Sequence, residues 1–173
     1  MTITQIAPAE MPDVLDDLAK TLHATVQDGA SVGFILPFSH EDARAFWQAD
    51  VFPRVQTGAA HLFVARRDAR VVGTVQLGLG LPANQPHRAD VAKMLVHPEH
   101  RRRGIARQLM EHVEARARAL GKTLLVLDTR SGDAAGKLYT SQGFEIAGEI
   151  PGFCRHPAQD LYEATTYMFK PLL

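Results

Sequence analysis

The chain holds a single cysteine, Cys154, which leaves no partner for an internal disulfide and no cysteine ligand set for a metal. Excess charge of either sign is absent as well: 19 Lys and Arg balance 19 Asp and Glu. Bulk attraction to nucleic acid or to an anionic membrane is therefore not expected. No stretch approaches the length of an apolar membrane span, and Met1-Thr2-Ile3-Thr4-Gln5 lacks the basic start and apolar run of an export signal. A reducing, cytoplasmic setting is the expectation. Repeats and low-complexity tracts are missing, and the prolines and glycines are scattered between periodic segments instead of gathering into a linker. With 173 residues, 46% of them hydrophobic, one domain over 1–173 with a sizeable core is predicted. Two common phosphate-binding patterns are also absent: there is no G-x-x-x-x-G-K-[ST] run, and no G-x-G-x-x-G follows a strand with an acidic residue beyond it.

What the chain does have is Val96-His97-Pro98-Glu99-His100-Arg101-Arg102-Arg103-Gly104-Ile105-Ala106-Arg107, an extended segment joined to an amphipathic helix through a basic, glycine-bearing turn. N–H groups at a helix start have no intrahelical partner and carry the positive end of the helix dipole, which suits phosphate oxygens. Gly104 allows close backbone approach, and three arginines add bidentate donors and local positive charge to a chain that is neutral as a whole. The turn reads as a pyrophosphate cradle. On composition alone an ordinary basic surface turn remains the alternative.

Periodicity supplies the frame around this turn. Thr2 to Ala7 alternates like an edge strand, and Met11, Val14, Leu15, Leu18 and Leu22 then recur at helical spacing in a helix ending before Gly29. Gly29 to Phe34 is too glycine-rich for regular structure, and Ser39 reads as the N-cap of a second helix running to about Val55. His61–Ala65 and Arg70–Leu79 form a hairpin around Arg67-Asp68-Ala69, and Ala89–His97 is the next strand. Ile105, Leu109, Val113, Ala117 and Leu120 line the following helix, which Gly121 stops. Lys122–Leu127 reads as a strand buried on both faces, Ala134–Gln142 as a short helix closed by Gly143, and Phe144–Ile150 and Leu161–Lys170 as the last strands. The order β-α-α-β-β-β-α-β-α-β-β predicts an α/β sheet with helices on both faces and a parallel crossover from Val96 to Leu124.

The pattern R-x-x-G-x-A, Arg101 to Ala106 behind Val96-His97-Pro98, resembles the acetyl-coenzyme A loop of the GNAT superfamily of N-acetyltransferases, Q/R-x-x-G-x-G/A. The element order is similar to that family's from end to end. Leu138-Tyr139-x-x-x-Gly143-Phe144 resembles its second signature, L-Y-x-x-x-G-F. At finer grain Gly29–Phe34, Val126-Leu127-Asp128-Thr129 and Gly148–Cys154 resemble the tabtoxin-resistance type of acetyltransferase. The resemblance implies a mixed, mostly antiparallel, twisted sheet splayed between its fourth and fifth strands, with acetyl-coenzyme A as co-substrate and no metal. It implies a pyrophosphate site on Arg101, Arg102, Arg103, Gly104, Ile105, Ala106 and Arg107, and a pantetheine arm along Met94-Leu95-Val96. In the family a bulge there frees backbone groups, and an N–H near Met94 would face the acetyl oxygen.

Tyr139 is the expected general acid, since a phenol is protonated at neutral pH and can donate to a departing thiolate. A packed tyrosine with a capped hydroxyl is the structural counterpart of that role. An acceptor amine arrives as ammonium and must lose a proton, which Asp90 or Asp128 could accept. Asp90 matches a base position used in some GNAT enzymes, and Asp128 lies at a strand carboxyl end, where α/β sheets gather ligands. Capping, ion pairing or recognition of a cationic amine are the other fates open to both. The chain departs from the family at Gly132, where many members carry a coenzyme-contacting asparagine; Ser131, Thr129 or Lys137 are the candidates to compensate. Ala106 replaces the loop's last glycine, as the family allows.

His97 and His100 are spaced like a weak metal pair, but no further partner is evident and no metal is expected. Cys154 reads as a packed thiol or a pocket neighbour, and Phe34, Trp47, His87 and Phe153 as residues that core or acceptor pocket could claim. The reading reached is direct acetyl transfer to the primary amine of a small amino-acid-like metabolite or toxin, by a monomer or homodimer that needs neither nucleic acid nor membrane. Two alternatives stand beside it: acetylation of a protein N-terminus or lysine, and a coenzyme A-binding sensor without transfer.

Overall fold

The computed structural model describes residues 1–172, so the domain expected over 1–173 ends one residue beyond them. The alternating segments become seven strands: β1 (Thr2–Gln5), β2 (Ala60–Arg67), β3 (Arg70–Gly78), β4 (Arg88–Val96), β5 (Leu124–Arg130), β6 (Glu145–Arg155) and β7 (Tyr162–Pro171). They form one sheet of order β1-β2-β3-β4-β5-β7-β6, antiparallel except where β4 meets β5. The helices are α1 (Met11–Gln27), α2 (His40–Phe46), α3 (Phe52–Gln56), α4 (Ile105–Ala119) and α5 (Ala134–Ser141). None among the described residues is long and apolar enough to cross a membrane.

Alternation along the strands divides the core between the two sheet faces. Phe63 and Ala65 of β2 pack with Ile105, Leu109 and Val113 of α4, while Leu62 and Val64 pack with Leu18 and Leu22 of α1 and with Trp47. Side chains such as Leu18, Leu22 and Trp47 are fully buried, and each contributes roughly 1.5–3 kcal/mol relative to exposure.

Two features of β4 position the site. Thr74 pairs with Leu95 but Gln76 pairs with Ala92, so Lys93 and Met94 together face Val75 as a β-bulge. Lys93 takes φ +49°, a left-handed conformation costing about 1–2 kcal/mol in a non-glycine residue. Pairing between β4 and β5 covers only Arg88–Asp90 against Leu124–Val126. Beyond that rung β4 follows β3 and β5 follows β7, which leaves a fork between the two parallel strands.

The segment expected as one helix from Ser39 to Val55 is broken into α2, a π-helical turn at Trp47–Val51, and α3. Pro53 has no N–H to give the carbonyl four residues back, and the chain widens by a residue just ahead of it. β5 starts at Leu124 and runs to Arg130; instead of being buried on both faces it alternates half-buried and buried over Leu124–Leu127, and Asp128, beyond the last rung with β4, is exposed. β6 continues past Ile150 to Arg155 through two register shifts, with nearly every residue exposed at the sheet edge.

Candidate functional site

The basic turn lies at the mouth of the fork, where a cleft of about 770 Å³ opens. Arg102 (φ +62°) and Gly104 (φ +76°) take left-handed conformations, and the first intrahelical bond of α4 is Gln108 N–H to Gly104 O at 3.2 Å. The N–H groups of Ile105, Ala106 and Arg107 therefore have no helical acceptor, and all three residues border the cleft. Arg101, Arg102, Gly104, Ile105, Ala106 and Arg107 border the cleft; Arg103 does not. Arg101 is partly committed elsewhere, pairing with Asp28 at the end of α1 and donating to Val96 O. Arg107 donates to Ser141 Oγ at 3.0 Å, tying α4 to α5.

Met94, the second residue of the bulge, and Leu95 and Val96 after it also border the cleft. Tyr139 reaches the cleft from α5 although its ring is 94% buried, 5.9 Å from that of Phe144. Burial and then the Asp128 carboxylate hold its phenol well above the ordinary value, and no protein group among the described residues caps its hydroxyl. Asp128 borders the same cleft, its Oδ2 lying 3.3 Å from the Thr165 hydroxyl, which also approaches Thr129 O at 3.0 Å.

Asp90 is not brought to this group. It occupies the last paired rung before the fork, opposite Val126, and forms an ion pair with Arg88 two residues earlier on the same strand face. Asp90 is thus ion-paired, one of the fates expected for it, and it does not border the cleft. Trp47 is fully buried beneath the sheet and His87 is exposed away from the cleft. Phe34 stacks with Phe38 and Phe46, whereas Phe153 and Cys154 do border the cleft. Of the residues proposed to replace an asparagine at Gly132, Thr129 lines the cleft, Ser131 is bonded to Thr166, and Lys137 stands outside.

Sequence reasoning missed several cleft residues. Lys93, on the bulge, donates from Nζ to Val32 O at 3.0 Å and lies 5.7 and 5.5 Å from the Phe34 and Phe46 ring centroids. Arg130 borders the cleft and joins Asp133, Glu163 and the carbonyl of Gly29. Glu99 completes a trio with His97 and His100 whose potential ligand atoms lie within 4.8 Å of one another. The histidine spacing was visible in the sequence; the third donor between them was overlooked.

Over the acceptor side the loop after α1 is fastened to the β6–β7 end. Leu36 N–H donates to Pro157 O at 2.8 Å, and Ser31 Oγ lies 3.3 Å from Cys154 Sγ.

With this geometry in hand, the comparisons are specific. Residues 17–144 match the acetyltransferase (GNAT) family. An uncharacterized N-acetyltransferase of Azospirillum brasilense, from the hisH-hisA intergenic region, is 31% identical over 132 residues, 75% of this chain and 76% of that protein. An amino-acid acetyltransferase of Azotobacter vinelandii is 28% identical over 77% of this chain, a match covering 29% of that longer protein. In fold, the chain is similar to the Salmonella typhimurium protein yncA, solved with its cofactor acetyl-CoA: TM-score 0.78, 21% identity, 99% of this chain and 94% of that one.

Proposed function

The chain belongs to the acetyltransferase (GNAT) family, and from that premise we propose that it transfers acetyl from acetyl-coenzyme A directly to the primary amine of a small amino-acid-like molecule. The observation carrying this reading is the fork itself: one cleft joins an unfilled helix N-terminus, a bulged strand, an uncapped Tyr139 hydroxyl and the Asp128 carboxylate.

The residues fit the co-substrate chemically. The free N–H groups of Ile105 to Arg107 and the Arg102 guanidinium would hold the pyrophosphate, and Met94 to Val96, which border the same cleft, would flank the pantetheine arm. When bound, acetyl-coenzyme A supplies a thioester carbonyl open to attack by a neutral amine. Asp128 attracts the ammonium form and accepts its proton. A backbone N–H at the bulge polarises the acetyl oxygen; one such donor in acyl transfer is worth roughly 3 kcal/mol. Tyr139 donates from its hydroxyl to the departing sulfur. With its phenol held above its ordinary value, it acts as a hydrogen-bond donor, and the extra proton left on the attacking nitrogen passes to the sulfur as the C–S bond breaks, giving the amide and free coenzyme A thiol. The cleft border shows no activated nucleophile pair, which favours direct transfer over a covalent acetyl-enzyme.

The fastening of Ser31 and Leu36 to Cys154 and Pro157 bridges the acceptor side, where a peptide would need an open groove. This favours a small acceptor over a protein N-terminus or lysine. The resemblance of three segments to the tabtoxin-resistance type adds β-lactam amino acids to the candidates, and with them a role in toxin resistance. The test is product mass and thiol release from acetyl-coenzyme A across amino acids, β-lactam amino acids, polyamines, aminoglycosides and peptides. Acetylation confined to small amino-acid-like amines is expected. Acetylation of peptides alone would replace the acceptor class, and coenzyme binding without any product would leave a sensor.

A further inference from the structure

A second cavity, of about 280 Å³, adjoins the cleft at the β4 bulge and shares Ala92 and Lys93 with it. Its other walls are Gln76 of β3 and Phe46, Asp50, Val51 and Arg54 from the α2–α3 segment. Three donor-bearing side chains, Gln76, Arg54 and Lys93, are among its walls. Gln76 is 97% buried, yet its side-chain amide nitrogen has no hydrogen-bond partner. Buried donors are nearly always satisfied, so an orphan lining a cavity points to an acceptor supplied from outside the chain. The Arg54 guanidinium enters no ion pair or hydrogen bond among the described residues, and its Nη2 lies 3.3 Å from where a side chain at Gly78 would begin. Lys93 spends one N–H on Val32 O and keeps two. Against these two cations and one amide stands a single carboxylate, Asp50.

This arrangement complements the cleft. Asp128 offers an anion for an amine on one side of the bulge, and the second cavity offers cationic donors on the other. We infer that Lys93, Arg54 and Gln76 form an anion subsite that takes the carboxylate of a zwitterionic acceptor, making the preferred substrate an amino acid instead of a simple amine or polyamine. The inference rests on the small-amine reading above and narrows it. Burial pushes the Lys93 ammonium below its ordinary value, with Asp128 and Asp50 pulling the other way, so a carboxylate entering the cavity meets a cation that gains from the pairing.

The experiment compares amino acids with their α-carboxamides, both as ligands by calorimetry on the coenzyme A-loaded protein and as acceptors by thiol release. Glutamate, glutamine and isoglutamine separate an α-carboxylate from a distal one. The expected result is at least tenfold tighter binding of the free acid than of its amide. In Arg54→Gln and Lys93→Gln the preference falls below threefold, and the loss in turnover falls on KM more than on kcat. Equal affinity for acid and amide in the unaltered protein overturns the subsite, as does a preference surviving both substitutions, including the case where the cavity holds water only. If the preference is present and lost in the variants while no amine is acetylated, the subsite stands and the transfer reading fails. If amines are acetylated without preference, transfer stands and the subsite fails.

Discussion

Tyr139 and Asp128 lie eleven positions apart in the sequence, and the fold gives them one cleft and a coupled electrostatic state. Since burial and the Asp128 carboxylate both favour the neutral phenol, Tyr139 stays protonated through pH 10, where an ordinary tyrosine would be half ionised. Activity should accordingly show no alkaline decline from this group up to pH 10; a falling limb near 9–10 that disappears in Tyr139→Phe would contradict the placement. Asp128→Asn separates a base from a recognition group. If Asp128 accepts the proton, the variant depends on the fraction of acceptor already neutral, and its kcat climbs with pH until the acceptor amine's own pKa is passed, while the unaltered enzyme shows a weaker climb. Parallel pH profiles with only a raised KM would assign recognition alone. Tyr139 was legible because its neighbours Gly143 and Phe144 repeat a known pattern. Where Asp90 would lie relative to the cleft was not legible, because the one-dimensional pattern cannot tell a rung inside the paired segment from one beyond the fork.

At the scale of elements, helices and hairpins were readable wherever burial imposed a period. The bulge and the π-helical turn were not, since no residue type announces Lys93 as an extra residue and the only warning of the turn was Pro53. Two substitutions test how elements hold the site. A methyl group on Gly73 would meet Leu95 O at 3.0 Å, Ile105 Cγ2 at 3.2 Å and Leu109 Cδ1 at 3.3 Å, so the glycine lets α4 seat on β3. Gly73→Ala should destabilise by about 1–3 kcal/mol and raise the KM for acetyl-coenzyme A, because the displaced end of α4 carries the pyrophosphate cradle. Unchanged denaturation and KM would show that α4 seats without it. In the β2–β3 turn, Asp68 and Ala69 both have positive φ, at +50° and +63°. Ala69→Gly relieves that strain and should stabilise by about 1 kcal/mol in urea unfolding with activity unaltered; a loss of stability would mean the turn is not strained.

For the molecule as a whole, the helices on both faces and the parallel crossover into β5 followed from the succession of elements, the splay between β4 and β5 was an expectation carried by family likeness, and the strand order came only with the structure. The basic turn and the bulge are near neighbours in the β4–α4 unit, so a local motif could suggest the loop, but it could not suggest the second cavity, whose walls come from β3, β4 and the α2–α3 segment. Every role assigned to the cleft depends on the acetyl group passing across the fork beneath the Tyr139 hydroxyl. The decisive measurement is steady-state acetyl transfer by Tyr139→Phe beside the unaltered enzyme, with both substrates varied and the best small amine from the panel. Loss of one hydrogen-bond donor to the leaving sulfur predicts a fall in kcat of about 10²-fold with the KM for acetyl-coenzyme A nearly unchanged. An unaltered kcat would contradict the account, since the fork would then carry the acetyl group without the side chain that defines it as the reacting centre.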